Sequence, residues 1–243
     1  MNYQKIKSSY NAIIDSLLPK TCPVCKEIVL PRGNQICRKC LPTFSFVKEP
    51  TCEKCGKEIL TASQRICYDC KYHRKTFTKG IALLNYDNLS RECMSGIKFL
   101  NRKEDIDVFS AMIVARLGKI IQSWDPECLI PVPVHKERLI KRGYNQAEEL
   151  AKGIGNRLNI PVENKILIRK RHTKAQKSLN PKERLENLEG AFEAAKCIQT
   201  TRCVVLVDDI YTTGSTAEAC TKVLMAAGAE DIRVLCICIG SEI

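Results

Sequence analysis

Two adjacent carboxylates, Asp208 and Asp209, precede a loop of small hydroxyl residues in the run VVLVDDIYTTGST. Such a loop can bind a phosphate if it leads into a helix, because the first N–H groups of a helix are unpaired and carry a partial positive charge. Gly214 would let the backbone approach the ligand. The carboxylates can accept hydrogen bonds from the vicinal hydroxyls of a ribose, or hold magnesium through water. The run therefore predicts a site for a phosphorylated sugar.

Eight of the fifteen cysteines form four CxxC pairs within residues 22–70. Zinc prefers a tetrahedron of thiolates, and two CxxC turns complete one site, so four pairs predict two zinc ions. Eleven residues separate each pair from the next, which leaves tandem and interleaved ligation both open. The similarity of CPVCKEIVL to CEKCGKEIL indicates a repeat of about 30 residues and favours the tandem arrangement. Its ligands are Cys22, Cys25, Cys37 and Cys40 for one ion, and Cys52, Cys55, Cys67 and Cys70 for the other.

Two other uses of these cysteines fit less well. An odd total leaves one cysteine unpaired in any disulfide framework, and the regular paired spacing is less natural for an iron–sulfur cluster. The remaining cysteines stand in apolar or helical stretches and are expected to be small buried residues in a reducing compartment. They are Cys93, Cys128, Cys197, Cys203, Cys220, Cys236 and Cys238.

The elements that must position the acidic pair follow from apolar patterning. The run 203–207 suits a buried parallel strand that ends at the carboxylates, and apolar positions 217, 220, 224 and 227 suit one face of a helix. Further strands are predicted at 81–86, 128–132, 164–169 and 232–239, and helices at 89–100, 105–121 and after Gly143. The fold class is α/β, with a parallel sheet flanked by helices and a small N-terminal zinc-ribbon module.

Three regions are predicted: an amphipathic helix over residues 1–20, a tandem zinc-ribbon module over 21–75, and the α/β domain over 80–243. The helix could dock on the rest of the protein, and a role at a membrane surface is less favoured because its polar face is not especially basic. No targeting segment is apparent, and no apolar run approaches the roughly 18 residues of a membrane helix. We expect a cytoplasmic protein without stable membrane insertion.

A second stretch with chemical potential is IPVPVHKERLIKRGYNQAEELAKGI, residues 130–154. A strand is predicted to end at Pro-Val-Pro, followed by a basic loop that contains His135 and Arg142. Cations at the end of a parallel strand, facing a phosphate loop, would suit a pyrophosphate. A solvated basic loop is the alternative.

The run VVLVDDIYTTGST is similar to the signature of type I phosphoribosyltransferases, and nearly the whole chain resembles the ComF family of competence proteins, with RGYNQ (142–146) as the most specific piece. The resemblance implies that this domain binds phosphoribosyl pyrophosphate (PRPP) with magnesium. The implied PRPP-binding residues are Asp208, Asp209, Tyr211, Thr212, Thr213, Gly214, Ser215 and Thr216. Those implied for the pyrophosphate are Val134, His135, Arg142, Arg169 and Arg171.

The polar segment 169–192 resembles the mobile hood that closes over the active site in phosphoribosyltransferases, although an exposed helix over 181–188 would also explain it. No base-recognition pocket is evident, so the acceptor of a transferase reaction is not indicated. Walker A and G-x-G-x-x-G motifs are absent, which disfavours a nucleoside triphosphate or dinucleotide site.

The net charge is +12, and residues 1–80 hold +9 of it. Lysines, arginines and aromatic residues alternate around the cysteine pairs, which would suit stacking and phosphate contacts with a single strand. A solvated surface and core packing of the aromatic residues explain the pattern as well. The resemblance implies that single-stranded DNA is handled during natural transformation, with a competence helicase as a partner.

Two other functions stay open at this point. In one, the protein is a phosphoribosyltransferase (a pentosyl glycosyltransferase) that transfers ribose 5-phosphate from PRPP to a nitrogenous base. In the other, PRPP is only a sensed ligand that changes affinity for DNA or a protein partner. The sequence indicates neither the acceptor nor the oligomeric state.

Overall fold

The computed structural model describes residues 20–31, 34–61, 63–170, 190–198 and 200–241. The chain divides into two compact units, residues 1–44 and 45–243. The helix predicted near the N-terminus and most of the predicted hood lie outside the described residues. The predicted boundaries at residues 20, 75 and 80 remain predictions. Within the described part, no helix is long and apolar enough to cross a membrane.

The described part of the first unit is one cysteine ribbon followed by a short 3-10 helix, Leu41–Thr43. Few side chains are buried in the described part of this unit, and two of them are cysteines. The buried residues are Cys22, Pro23, Val29, Ile36, Cys40 and Phe44. So small an apolar core cannot supply much folding free energy, which is the situation in which bound zinc stabilises a module.

The second unit contains the second ribbon and the α/β domain. Its elements, in chain order, are α1 (Tyr68–Tyr72), β1 (Lys79–Asn85), α2 (Asn88–Phe99), α3 (Glu104–Ser123), β2 (Cys128–Pro131), α4 (Lys136–Arg142), α5 (Gln146–Leu158), β3 (Leu167–Arg169), β4 (Phe192–Ala194), β5 (Thr200–Tyr211), α6 (Ser215–Ala226) and β6 (Ala229–Ile239). Four strands form a parallel sheet in the order β1-β6-β5-β2, and β3 pairs antiparallel with β4. The parallel sheet with flanking helices confirms the predicted fold class.

The central strand β5 extends further than the sequence pattern indicates. The predicted run from Cys203 to Val207 is buried throughout, as a strand covered on both faces requires. Its pairing with β2 ends where Pro131 lies beside Val207, but its pairing with β6 continues to Tyr211 beside Ile239. The prediction that the strand ends before Asp208 is therefore wrong, because β6 goes on supplying backbone partners after β2 has ended.

The prediction of a basic loop after Pro-Val-Pro is also wrong, because residues 136–142 form the short helix α4. His135 is its N-cap residue, and its Nδ1 accepts a hydrogen bond from the backbone N–H of Glu137 at 3.4 Å. Gly143 ends the helix with φ of +82°. None of the residues of α4 is buried, so its sequence lacks the apolar periodicity by which a helix is recognised.

The cysteines outside the ribbons are buried with one exception. Six of the seven lie in the core, as predicted. The prediction is wrong for Cys197, which is exposed because it lies in the connection between β4 and β5 and not in a packed element.

The second ribbon meets the sheet through a backbone contact that leaves no room for side chains. The Gly80 N–H, in β1, donates to the Lys54 carbonyl at 2.7 Å. A Cβ on Gly56, whose φ is +80°, would lie 2.6 Å from the Gly80 carbonyl oxygen. The corresponding residue of the first ribbon, Lys26, also has a positive φ of 67°. The left-handed turn therefore belongs to the repeat, and the close approach explains why the second copy has glycine.

We expect Gly56→Ala to destabilise the second unit by about 2–4 kcal/mol, because the substitution adds a backbone clash to the cost of a left-handed alanine. Gly143→Ala is the matched control, since its φ is +82° and a Cβ there meets nothing within 4 Å. It should cost only about 1 kcal/mol. Urea unfolding of the zinc-loaded proteins measures the free energy of unfolding of both variants. Equal losses in the two would show that the contact with β1 does not contribute to stability.

Candidate functional site

The acidic pair lies in the part of β5 that has lost its β2 neighbour. Consecutive side chains of a strand point to opposite faces, so Asp208 and Asp209 do not face the same way. Asp208 lines a cleft together with residues of the predicted phosphate loop. Asp209 is buried and forms an ion pair with Lys98, whose Nζ lies 2.6 Å from Asp209 Oδ2. The structure thus brings Asp208, but not Asp209, to the cleft.

The two carboxyl groups have different proton affinities. Burial, and then the charge of Asp209, raise the pKa of Asp208 to about 8. Burial alone would also raise the pKa of Asp209, but the Lys98 ammonium outweighs it and holds that pKa below its usual value. Of the two carboxyl groups, Asp209 therefore ionises first, and Asp208 keeps its proton to higher pH.

The predicted phosphate loop leads into a helix, α6, as the sequence predicts. Gly214 is the N-cap residue of α6 with φ of +74°, and no side chain caps the helix. A Cβ on Gly214 would lie 2.2 Å from the Tyr211 hydroxyl oxygen, so only glycine fits beside that ring. The first N–H groups of α6 are thereby presented to a ligand.

The cleft beside the start of α6 is small and partly open to solvent. It is lined by Asp208, Ile210, Tyr211, Thr212, Gly214, Ser215, Thr216, Ala217 and Cys236. Of the predicted PRPP-binding residues, Asp209 and Thr213 are not among them. The Thr213 side chain instead lies 2.9 Å from the Ser215 hydroxyl oxygen, Oγ to Oγ. The Tyr211 hydroxyl is buried and has no hydrogen-bond partner among the described residues.

The described residues that are predicted to bind pyrophosphate lie just before α4, at its end and at the end of β3. Val134 and His135 precede α4 and are half-buried. Arg169 ends β3 with its guanidinium 5.2 Å from the centroid of the Phe192 ring. Burial, followed by the nearby charge of Arg138, lowers the pKa of Arg169, while Asp208 acts in the opposite direction. Arg171 lies outside the described residues.

Arg142 has a structural partner in addition to its predicted role. Its Nε donates to the Lys98 carbonyl at 3.0 Å, and its guanidinium also donates to the Gln146 side chain. The Tyr144 hydroxyl donates to the Ile97 carbonyl. The RGYNQ run therefore holds the C-terminal end of α2, and α2 carries Lys98 to Asp209.

Lys98 is the site residue that the sequence analysis missed. It lies in the last turn of α2, a helix whose N-terminus is fixed by a reciprocal capping box between Asp87 and Ser90. A single lysine after the buried Ile97 resembles any solvated helix-terminal cation. The signal that could have found it is an unmatched buried carboxylate, Asp209, once β5 is extended past Val207.

Both sets of four cysteines come together in the tandem arrangement, with all ligand atoms of each set within 4.8 Å of one another. The Sγ atoms of Cys25 and Cys37 are 3.7 Å apart, and those of Cys55 and Cys67 are 3.5 Å apart. A tetrahedron with Zn–S bonds of about 2.3 Å has edges of about 3.8 Å, so both sets fit zinc.

In each set of cysteines some thiols have a lowered pKa and others a raised one. Burial acts to raise the pKa of Cys22, but backbone N–H groups, of which that of Cys37 has the largest effect, outweigh it and lower the pKa to about 7. In the second set, hydrogen bonds from the neighbouring thiols lower the pKa of Cys52 and raise that of Cys55. The thiols within each set therefore compete for negative charge, and a bound cation removes that competition.

Comparison with known proteins covers both parts of the chain. Residues 13–71 match the model of the double zinc ribbon domain. The chain is 33% identical to competence protein F of Haemophilus influenzae, over 88% of this chain and 94% of that protein. It is 30% identical to competence protein ComFC of Streptococcus pneumoniae, over 88% and 93% of the two chains. It is 26% identical to the DNA utilization protein YhgH of Escherichia coli, over 91% and 97%.

Among solved structures, a purine phosphoribosyltransferase from Pyrococcus horikoshii matches 54% of this chain and 74% of its own, with 20% identity and a TM-score of 0.34. An adenine phosphoribosyltransferase from Leishmania tarentolae matches 56% and 71%, with 16% identity and a TM-score of 0.32.

We expect Lys98→Met to move the titration of the acidic pair to higher pH, because the cation that favours the ionised form of both carboxyls is lost. Carboxyl ¹³C NMR over a pH series measures the shift. Lys152→Met is the control. It removes an ion pair with Glu148 and should leave the titration of Asp208 and Asp209 unchanged. An unchanged titration in Lys98→Met would contradict the importance of the ion pair.

Proposed function

Because this chain belongs to the ComF family of competence proteins, we propose that it binds PRPP at the cleft beside α6 and handles single-stranded DNA during natural transformation. One observation carries the proposal. The Asp208 carboxyl group and the start of α6 open into the same cleft, so an acceptor for sugar hydroxyls and donors for a phosphate face one ligand.

In this proposal the 5′-phosphate of PRPP binds the loop 212–216, where the first N–H groups of α6 and the hydroxyls of Thr212, Ser215 and Thr216 are the donors. Asp208 accepts a hydrogen bond from a ribose hydroxyl. Asp209 acts on the ligand indirectly, through the position of Lys98.

The pyrophosphate group of PRPP needs cations at the other end of the ribose. The charges of Arg138 and Asp208 both affect the pKa of Arg169, which supports a place for Arg169 beside the cleft. Burial lowers the pKa of Arg142, and the charge of Asp209 acts in the opposite direction, which supports a place for Arg142 near the acidic pair. Val134, His135 and Arg171 remain candidates, as does magnesium bound together with PRPP through Asp208.

The second ribbon offers a surface for single-stranded DNA. Of the aromatic residues around the cysteines, Phe44 is buried, whereas Tyr68 and Tyr72 on α1 are 62% and 60% exposed. The ring centroids of this tyrosine pair are 4.4 Å apart, and Lys71 lies over the Tyr72 ring at 5.7 Å. Aromatic rings beside cations can stack bases and contact phosphates without reading sequence.

The cysteine chemistry suits the compartment that this function implies. All fifteen cysteines lie within the described part, and none forms a disulfide. Two sets of zinc-binding thiols persist where thiols stay reduced, so we place the protein in the cytoplasm. A competence helicase as the protein partner remains a prediction from the family.

The alternative function is transfer of ribose 5-phosphate to a nitrogenous base. Asp208 supports this alternative, because its ionised form beside the sugar would stabilise the electron-poor ribose that forms as pyrophosphate leaves. Release of pyrophosphate from PRPP in the presence of nucleobases would establish turnover. Binding of PRPP without release would favour a sensed or structural ligand.

Calorimetric titration with PRPP and magnesium tests the site. We expect the wild type to bind, and Asp208→Asn to weaken binding more than Asp209→Asn, because only Asp208 lines the cleft. No binding by the wild type would exclude the proposed PRPP function. Equal losses in both variants would show that the two carboxylates act together on the ligand.

The affinity for PRPP should rise by about tenfold between pH 7 and pH 9, because ligand binding favours the ionised form of Asp208, whose pKa is about 8. The same titration at fixed magnesium concentration measures the slope. Asp208→Asn has no carboxyl group to ionise, so its affinity should be flat over this range. A wild-type affinity that falls as the pH rises would contradict the assignment.

For DNA, we expect Tyr68→Ala/Tyr72→Ala to weaken binding of a labelled single strand by at least about tenfold in fluorescence anisotropy, since each stacked base is worth about 1–3 kcal/mol. Phe99→Ala removes an equally exposed aromatic ring from α2 and is the control. Wild-type affinity should fall with salt, as phosphate contacts require. An affinity that the tyrosine substitutions leave unchanged would place the DNA surface elsewhere.

A further inference from the structure

A short segment that follows the second zinc site contacts the phosphate loop, which lies far along the chain. The segment 75–77, which we call the strut, begins five residues after Cys70. Lys75 is 8% exposed, and its Nζ donates to the Thr213 carbonyl at 2.8 Å. Because breaking this hydrogen bond would leave a buried ammonium group without its acceptor, the bond stabilises the position of the loop.

The next residue of the strut is bonded to the helix behind the loop. The Thr76 N–H donates to Glu218 Oε2 at 2.8 Å, and the Thr76 hydroxyl lies 3.0 Å from Glu218 Oε1. Glu218 is 4% exposed and lies in the first turn of α6, where its own N–H donates to the Gly214 carbonyl at 2.8 Å. The two bonds fix the N-terminus of α6, whose N–H groups face the cleft.

The third residue of the strut packs beneath the loop. Phe77 is fully buried, and its ring meets the Tyr211 ring edge-to-face, with centroids 6.2 Å apart and planes at 89°. Tyr211 lies against Gly214 so closely that a Cβ on the glycine would overlap the tyrosine hydroxyl. The positions of Phe77, Tyr211 and the left-handed turn at Gly214 are therefore mutually dependent.

The zinc site fixes the strut at both ends. Cys67 and Cys70 lie on the N-terminal side, and on the C-terminal side the Gly80 N–H of β1 donates to the carbonyl of Lys54, which lies between Cys52 and Cys55. All four cysteines belong to the same buried cluster as Phe77, Tyr211 and Ala217. Loss of zinc would release both ends at once.

We propose that the second zinc ribbon, acting through Lys75 and Thr76 as positioning residues, holds the phosphate loop in its binding conformation, so that zinc at this ribbon and a sugar phosphate in the cleft raise each other's affinity. The inference rests on the proposed function, in which the loop binds the 5′-phosphate. Reciprocity follows from thermodynamic linkage, and couplings of this kind are typically about 5- to 150-fold.

The first experiment measures the linkage in both directions. The full chain carries Cys22→Ser, Cys25→Ser, Cys37→Ser and Cys40→Ser, so that zinc affinity reports the second set of four alone. Zinc affinity is measured by equilibrium competition with a chelator, with and without magnesium and PRPP, and again with ribose 5-phosphate, which retains the 5′-phosphate. We expect either ligand to raise zinc affinity, by about tenfold for PRPP.

The second experiment separates positioning from folding. Lys75→Met and Thr76→Val should each weaken PRPP binding by about tenfold and reduce the effect of PRPP on zinc affinity, while the proteins keep zinc and a near-native far-UV spectrum. Lys75→Arg retains a charged donor and should restore part of the affinity. The controls are Lys79→Met and Thr78→Val, which change exposed residues just after the strut.

The outcomes distinguish this inference from the proposed function. Absence of PRPP binding by the zinc-loaded wild type would overturn both. PRPP binding with a zinc affinity that neither ligand changes would overturn the inference alone, as would Lys75→Met and Thr76→Val proteins that bind PRPP like the wild type. Equal losses in the strut variants and their controls would also overturn it, because the effect would then be general destabilisation.

Discussion

The end of β2 at Pro131 is the constraint on which the site depends. Until Val207 the central strand has neighbours on both sides, and from Asp208 to Tyr211 it pairs with β6 alone. The fully buried run before Asp208 fixes the register of the strand, since a slip of one residue would move every side chain to the opposite face. The same register places Asp208 toward the cleft and Asp209 toward Lys98. A polar cleft thus exists because one strand is shorter than its neighbour.

On the face of β5 that carries Asp209, the acidic pair is positioned by contacts that no sequence motif shows directly. A buried carboxylate needs a cation, and Lys98 is brought to it by the last turn of α2. That turn is held by Arg142 and Tyr144, which donate to consecutive backbone carbonyls. In the same run Asn145 donates to the Val132 carbonyl at 3.0 Å and caps α5. The RGYNQ run is the most family-specific part of the sequence, and its role in fixing α2 and β2 around the acidic pair explains most of its residues.

Much of the fold could be predicted from the sequence, and the reasons are local. Continuous apolar runs identified the buried strands, helical periodicity identified α2, α3, α5 and α6, and the internal repeat gave the tandem grouping of the cysteines. The α4 helix escaped because nothing on it is buried, and the full length of β5 escaped because carboxylates do not resemble strand residues.

The parts of the site that could not be predicted are contacts between residues far apart in the sequence. Lys75 and Thr213, for example, are 138 residues apart in the chain. Neither residue carries a pattern that refers to the other, because a lysine that binds a backbone carbonyl requires no particular side chain at its partner. The same holds for Lys98, whose partner Asp209 is visible in the sequence only as half of an acidic pair. Such contacts are decided by the tertiary fold.

The charge of the second zinc centre indicates how it can assist a phosphate loop. Zinc with four thiolates has a formal charge of about −2, which by itself would repel a phosphate bound nearby. The buried ammonium group of Lys57 lies near these thiolates. Burial acts to lower its pKa, but the ion pair with Asp69, and then the charges of Cys55 and Cys67, outweigh burial and raise the pKa. Lys75 adds a second buried cation, bonded to the loop itself. The ribbon therefore stabilises the loop through geometry, and these lysines offset the repulsion that its thiolates would otherwise exert on the ligand.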